Sequence, residues 1–202
     1  ILMRRTKDRP LPTGEMSVKE AYAVVIICLA VGTTMLFLIN FYSALLGLLA
    51  YTSYVFMYTP MKRKSPWAVF VGAIPGAIPP MLGAIASTGE FGLIPGVLFF
   101  VQFTWQFPHF WAIAWKGSED YAKGGYKMLP FGDHKDRRTA FIILFYSFFV
   151  IPAGMLPWVF NVSGITSMIL SIILGIYFII PAIKLYKSLE DKDALKLMFA
   201  SF

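Results

Sequence analysis

Three short segments of this sequence combine basic residues with proline, glycine, tyrosine and isolated carboxylates. The first runs from Met3 to Gly14 and has four cations within six residues, among them Arg5 and Arg9. Arginine forks and lysine point charges at this density suit the oxygens of a phosphate or diphosphate. A basic loop that only sets membrane orientation and contacts lipid headgroups has the same composition, so both interpretations stay open.

The second segment, residues 58–67, follows tyrosines at helical spacing. Tyr51, Tyr54 and Tyr58 fall within about one-sixth of a turn of a common direction on a helix, and the chain past Tyr58 brings Lys62 towards that side. Thr59 precedes a proline, so we expect the helix to end there. On spacing alone, the tyrosines are also typical of anchors at a membrane boundary.

The third segment, residues 117–130, has adjacent carboxylates at Glu119 and Asp120. Such oxygens are ligands for Mg²⁺, which typically takes one or two protein carboxylates together with substrate phosphates. Acidic residues in a loop are usually only solvated, so this pair alone is a weak sign of a metal site.

A polar stripe lies on the apolar stretch before the third segment. Gln102, Gln106 and His109 are spaced i, i+4, i+7, and Lys116 lies seven residues further on. Polar groups are costly against lipid, so we expect the stripe to face a cavity or another helix. The spacing places His109 roughly 10 Å from Lys116 along the axis. An interhelical hydrogen bond and a ligand role both fit this histidine.

The elements that must position these residues are transmembrane helices. The chain has 202 residues, of which 57% are hydrophobic and 14% charged, and its mean hydropathy is +0.66. A soluble domain has roughly a quarter charged residues, so the composition predicts an all-α integral membrane protein of one domain, 1–202. Uncharged stretches of about 20 residues predict the spans. These are approximately 20–39, 43–59, 67–87, 93–115, 138–160 and 164–185, with the start of another at 195–202.

The basic residues predict the orientation. All 18 Lys and Arg lie in residues 1–20, 59–67, 116–138 and the stretch from 184, whereas the loops near 40, 90 and 161 have none. By the positive-inside rule the basic loops face the cytoplasm. We therefore expect a multi-pass protein of the inner (cytoplasmic) membrane with its site loops on the cytoplasmic side. The bilayer explains the net charge of +7, so no nucleic acid partner is expected.

Taken together in chain order, five stretches make the sequence resemble the UbiA superfamily of intramembrane prenyltransferases, and within it the branch that farnesylates protoheme IX. They are Met3-x-Arg5-Thr6-x-x-Arg9-Pro10-Leu11, Tyr58-Thr59-Pro60-Met61-Lys62-Arg63, Gly76-Ala77-Ile78-Pro79-Pro80, Trp105-Gln106-Phe107-Pro108-His109-Phe110-Trp111-Ala112, and Asp120-Tyr121 with Met128-Leu129-Pro130. The resemblance implies a helical bundle of nine spans around a central cavity. The chain would hold the third to the eighth span and the start of the ninth.

The resemblance also implies two Asp-rich motifs, and the first would precede Ile1. We therefore expect the chain to be a fragment, truncated at both ends and inactive alone. At the second motif, Gly124 lies where a four-residue repeat from Asp120 would place another carboxylate. Asp120 would then be the main metal ligand, with Glu119 as a helper.

The implied reaction uses farnesyl diphosphate and Mg²⁺. Arg5, Arg9 and Lys62 would bind the diphosphate, and with the metal they would stabilise its departure as the allylic C–O bond ionises. Tyr58 would face the allylic cation, which makes Tyr58, Lys62 and Asp120 the candidate catalytic residues. The vinyl group of protoheme IX would attack, and water would complete heme O.

The resemblance suggests further partners. His109 is the candidate for holding the heme, through its iron or a propionate. The product would pass to heme A synthase or a terminal oxidase.

Three alternatives remain. A sibling prenyltransferase with an aromatic acceptor would share Tyr58, Lys62 and the acidic site, although the stretch 105–112 favours heme. A small membrane transporter is suggested by the Gly/Pro-broken helix and the polar stripe, but the far side has almost no polar residues. A purely structural membrane subunit would leave the loop residues unexplained.

Overall fold

The computed structural model describes residues 3–132 and 134–202, and the side chain of Arg5 lies outside the described part. Within these residues the chain is helical, with no strand. After a 3₁₀ turn at Arg4–Thr6, the helices are α1 Pro10–Thr13, α2 Val18–Ile39, α3 Phe41–Met61, α4 Ala68–Thr88, α5 Leu93–Lys116, α6 Ser118–Lys123, α7 Arg137–Val159, α8 Ile165–Ser188 and α9 Asp191–Ala200.

Five of these helices, α2, α3, α4, α7 and α8, are long and apolar enough to cross a membrane. The all-α integral membrane bundle predicted from the sequence is therefore confirmed. Helix α5 is equally long but is not among the five. That α5 itself spans the membrane stays a prediction.

Helix α5 lies at the centre of the bundle. The main core cluster forms where α4, α7 and α9 pack against α5 and α8 packs against α7 and α9, and its largest buried side chains are Phe107, Trp111 and Trp115. In a bilayer, helices associate through close packing rather than through removal of apolar area from water, so these tightly packed aromatic side chains hold the helices together by dispersion contacts. The predicted start of a span at 195–202 lies partly within α9, which begins at Asp191.

Helix α3 does not end where the sequence predicted. Instead of stopping at Thr59, it runs through Pro60 to Met61. The reason is a widened π-helical turn over Ser53–Tyr58, after which the N–H and the hydroxyl of Thr59 both donate to the Tyr54 carbonyl. This turn shifts the hydrogen-bond register immediately before Pro60, whose ring has no N–H to donate.

Two of the long helices, α2 and α7, begin at side chains that cap them. Ser17 and Glu20 form a capping box at the start of α2, and the Asp136 carboxylate accepts the Thr139 N–H at 2.8 Å at the start of α7. That hydrogen bond lowers the pKa of the Asp136 carboxyl. These caps fix the points at which the loops leave the bundle.

Candidate active site at the basic end of the bundle

The basic segments meet at one end of the bundle, called here the basic end. The backbone N–H of Arg4 donates to Asp120 Oδ1 at 2.8 Å, which joins the first segment to the third. The backbone N–H of Lys127 donates to the Lys62 carbonyl at 2.7 Å, which joins the third segment to the second. These long-range bonds hold the three segments in a fixed arrangement.

The basic stretch from residue 184 onwards reaches the same end through Asp191, at the start of α9. The Asp191 carboxylate lies 2.8 Å from Lys135 Nζ and 3.7 Å from Lys116 Nζ. The first turn of α9 is thus tied to both ends of the loop that carries Asp120.

A cavity of about 400 Å³ lies at the basic end. Its wall combines residues of the first segment, α3 and its extension, α5, and the third segment. They are Met3, Thr6, Arg9, Tyr54, Tyr58, Lys62, Phe110, Ile113, Ala114, Tyr121, Tyr126 and Met128. The structure therefore brings together three predicted site residues, Arg9, Tyr58 and Lys62, from distant parts of the sequence.

Lys62 lies over two aromatic rings. Its Nζ is 4.1 Å from the ring centroid of Tyr58 and 5.5 Å from that of Tyr54. The face of an aromatic ring attracts a cation at these distances. The predicted third member of the tyrosine stripe, Tyr51, lines a different groove between α2 and α3. The π-helical turn between Tyr51 and Tyr58 changes the helical register, so the two rings do not share a wall.

Helix α4 packs closely behind the Tyr58 ring. A Cβ atom at Gly72 would lie 2.7 Å from Tyr58 Cε2 and 2.8 Å from Cδ2, so only glycine fits beside the ring as it stands. The orientation of Tyr58 therefore depends on a residue that does not itself line the cavity.

The predicted metal ligands lie beside the cavity wall. Asp120 is half-buried on α6, next to the wall residue Tyr121, and its Oδ1 accepts the Arg4 N–H. Glu119 is exposed and is not part of the wall. Among the described residues, no three His, Cys, Asp or Glu side chains group into a metal cluster. The predicted diphosphate ligand Arg5 has a side chain outside the described residues.

Gly124, the departure from the superfamily spacing, has a steric explanation. A Cβ at this position would lie 2.8 Å from ring atoms of Tyr126 and 3.0 Å from Met3 Sδ. The packing that places Tyr126 on the cavity wall thus leaves no room for a carboxylate side chain. Tyr126, over which the Arg63 guanidinium lies at 5.5 Å, was not singled out by the sequence, because a lone tyrosine in a loop has no periodic pattern.

The structure does not bring His109 to this cavity. Its ring stacks on Trp105 with centroids 4.7 Å apart, and its Nδ1 lies 2.6 Å from Ser201 Oγ beyond the end of α9. The neighbouring positions Phe110 and Ile113 form the α5 part of the cavity wall instead. His109 is buried between helices, and its predicted heme role rests on the resemblance alone.

The prediction that the polar stripe faces another helix is confirmed for Gln106. Its Nε2 donates to the carbonyls of Ala73 on α4 and Gln102 on α5, each at 3.1 Å. A Cβ at Gly76 would overlap Gln106 Oε1, so the small residue on α4 makes room for the buried amide. This contact is structural and lies away from the cavity wall.

The whole chain, residues 1–202, matches the UbiA prenyltransferase family. The chain belongs to this family. The resemblance on which the sequence analysis relied is confirmed.

Two relatives within the UbiA family show how far the similarity extends. The chain is 49% identical over its full length to the protoheme IX farnesyltransferase of Cytophaga hutchinsonii, of which it covers 71%. It is 46% identical over 99% of its length to the protoheme IX farnesyltransferase of Flavobacterium psychrophilum, of which it covers 68%. The solved structure of a digeranylgeranylglyceryl phosphate synthase shares the fold, with a TM-score of 0.77 and 20% identity, over 98% of this chain and 70% of that one.

Proposed function

We propose that this UbiA chain belongs to an enzyme that transfers the farnesyl group of farnesyl diphosphate to protoheme IX and forms heme O. The observation that carries this proposal is the Lys62 ammonium above the Tyr58 ring in a cavity that also contains Arg9. The identities of 49% and 46% to proteins named protoheme IX farnesyltransferase support the choice of substrates. Their names also support a prenyl diphosphate as the donor.

The cations of the cavity suit the first step, ionisation of the donor. When the allylic C–O bond breaks, its electron pair stays with the diphosphate, whose negative charge Lys62 and Arg9 would stabilise. Lys62 is half-buried, which strengthens its electrostatic interaction, whereas Arg9 is exposed and suits the outer mouth. Arg5 remains a predicted third ligand of the diphosphate.

The aromatic wall suits the other product of ionisation, the allylic cation. The ring face of Tyr58 that attracts the Lys62 ammonium would also attract a carbon cation. Phe110, Ile113 and Met128 supply an apolar surface for the isoprenoid tail. One cavity thus offers polar contacts for the headgroup and apolar contacts for the chain.

Asp120 fits a metal that arrives with the diphosphate. Mg²⁺ is commonly held by one or two protein carboxylates together with phosphate oxygens, and Asp120 lies between Arg4 and the wall residue Tyr121. Glu119, one position earlier and exposed, is the second candidate ligand. When bound, Mg²⁺ would supply positive charge to the leaving diphosphate.

In the second step the vinyl group of protoheme IX would form a C–C bond with the allylic carbon. Water would add its hydroxyl to the other vinyl carbon and release a proton, which completes heme O. His109 stays the candidate heme contact, through iron or a propionate, and this role would require the heme to replace the Ser201 hydroxyl. The basic end would lie on the cytoplasmic side of the inner membrane. Heme O would pass to heme A synthase or a terminal oxidase.

The test uses full-length protein in detergent with protoheme IX, farnesyl diphosphate and Mg²⁺, and measures heme O by mass. We expect product that depends on the metal and falls sharply in Asp120→Asn. The control is Asp8→Asn, an exposed carboxylate outside the cavity wall. Equal product without metal, or prenylation of an aromatic acceptor in place of heme, would contradict the proposal.

His109→Ala tests the heme role separately. We expect loss of heme O while farnesyl diphosphate still binds, because the donor site at Lys62 does not include the histidine. Unchanged turnover would exclude His109 from heme binding and leave the rest of the proposal standing.

A further inference from the structure

Two adjoining apolar grooves lie at the basic end, outside the Lys62 cavity. The first, of about 380 Å³, lies between α4, α5 and α7 and includes Phe70, Trp111 and Tyr146 in its wall. The second, of about 430 Å³, shares Phe131 and Ile142 with the first, so the two form one continuous surface. Neither groove shares a residue with the wall of the Lys62 cavity.

The second groove is bordered by two arginines, Arg137 and Arg138, the first residues of α7. Both are exposed, and the Arg137 guanidinium lies 5.8 Å from the ring centroid of Tyr186. Within the described part of the chain, the ion pairs involve lysines and include neither arginine. The neighbouring Asp136 carboxylate accepts the Thr139 N–H as a helix cap and also interacts electrostatically with Arg138, so it offsets part of the positive charge. The arginines therefore present positive charge beside an apolar surface.

The order of polarity along α7 matches that of a phospholipid. From Arg137 to Tyr146 the helix rises nine residues, or about 13 Å, from charge to an aromatic and aliphatic wall. Trp67, exposed at the start of α4, lies at the same rim, as amphipathic rings do at a membrane boundary. A phosphate at the arginines would thus place an acyl chain beside Ile142 and Tyr146.

We propose that this surface, the α4–α7 groove, binds an anionic glycerophospholipid. Arg137 and Arg138 contact its phosphate, and one acyl chain lies in the groove between α4 and α7. The two adjacent exposed arginines carry more positive charge than the Asp136 carboxylate offsets, which favours a lipid with net negative charge over a zwitterionic one. The site is separate from the substrate cavity, so the proposal holds whichever acceptor the enzyme uses.

The test is native mass spectrometry of delipidated full-length protein in detergent. Phosphatidylglycerol and phosphatidylcholine with identical acyl chains are added in separate titrations. We expect preferential retention of phosphatidylglycerol, and about fivefold weaker binding for each arginine replaced in Arg137→Gln and Arg138→Gln. Ile142→Trp, which fills the groove and keeps both arginines, should also remove the bound lipid.

The matched control is the double variant Lys184→Gln and Lys187→Gln, which removes two exposed charges near the end of α8, outside the groove. It should bind phosphatidylglycerol as the parent protein does, and thermal unfolding should show that every variant is folded. Equal retention of the two lipids, or an equal loss in the control, would overturn the proposal. Displacement of the lipid by farnesyl diphosphate would place it in the Lys62 cavity and overturn the proposal as well.

Discussion

The two ends of helix α3 use their polar residues in opposite ways. At the start, Asn40 Oδ1 accepts the Ser43 N–H at 2.8 Å, and its Nδ2 donates to the Ile85 carbonyl of α4 at 3.1 Å. At the other end, the Lys62 ammonium and the Tyr58 ring meet each other at the wall of a cavity. At the first end, the polar side chain bonds backbone groups of α3 and α4, whereas the second end presents charge and ring faces to a space that can take a ligand.

One apolar helix, α3, thus contributes to stability at its first end and to the candidate active site at its other end. The Asn40 end closes a hairpin with one residue between α2 and α3, and its hydrogen bonds orient α3 against α4. The Lys62 end is widened by the π-helical turn, which places Tyr54 and Tyr58 below the lysine. Substitutions at the two ends should therefore separate stability from turnover.

The largest effect is expected from Lys62→Ala. Heme O formation by the full-length protein should fall by about 10²–10³-fold, because the variant loses the preorganised positive charge that stabilises the leaving diphosphate. The midpoint of thermal unfolding should stay close to that of the parent protein. The control is Lys64→Ala, an exposed lysine outside the cavity wall, which should keep nearly full activity. Equal losses in both variants would remove the distinction between the Lys62 site and general basic charge.

A smaller effect, about tenfold in turnover, is expected from Gly72→Ala. The added Cβ must displace the Tyr58 ring, and a 1 Å misplacement of a positioning group is sufficient for such losses. Gly83→Ala is the matched control on α4, because nothing lies within 4 Å of its Cβ. Activity measured with saturating farnesyl diphosphate should separate the two. A Gly72 variant as active as the Gly83 variant would show that the ring position is unimportant.

At the opposite end of α3, Asn40→Ala should lower stability by about 1 kcal/mol, the typical cost of a lost N-cap. Turnover per folded molecule should not change, because Asn40 caps the opposite end of α3 from Lys62 and does not line the cavity. Asn40→Ser keeps a capping oxygen but loses the donor to the Ile85 carbonyl. Its midpoint of thermal unfolding should therefore lie between those of the parent protein and Asn40→Ala. Reduced turnover in well-folded Asn40→Ala would break the comparison between the ends.

The smallest effect is expected from Asp191→Asn, which removes charge at the basic end without touching the cavity wall. Asp191, Lys116 and Lys135 are all partly exposed, and such ion pairs contribute about 0.2–1 kcal/mol. The loss in thermal stability should shrink as salt is raised, because exposed charges are screened. A loss of turnover comparable to that of Lys62→Ala would mean that this ion pair acts on the site.

The sequence was sufficient for features that depend on local pattern. The uncharged stretches predicted where the long helices lie. The spacing of Tyr51, Tyr54 and Tyr58 predicted a common side near Lys62, which the structure has for Tyr54 and Tyr58 but not for Tyr51. The placement of Arg9 on the same wall was predicted through the family resemblance, since no local pattern joins positions so far apart.

Other features depend on contacts that no local pattern contains. The π-helical turn follows from a shifted hydrogen-bond register at Thr59, whereas the proline rule predicted a helix end. The partner of His109 is Ser201, 92 residues away, and the crowding at Gly124 involves Met3 from the first segment. Such pairs are set by tertiary packing, which a pattern of hydrophobic and polar residues leaves open.

The link between Lys127 and Lys62 has a consequence for variation in this enzyme. The bond joins two main chains, so either lysine can be exchanged without loosening the seam between the loops. Only a residue without an amide hydrogen, such as proline at 127, would cut it. Side-chain charge at these two positions can therefore change during evolution while the backbone link between the two loops is kept.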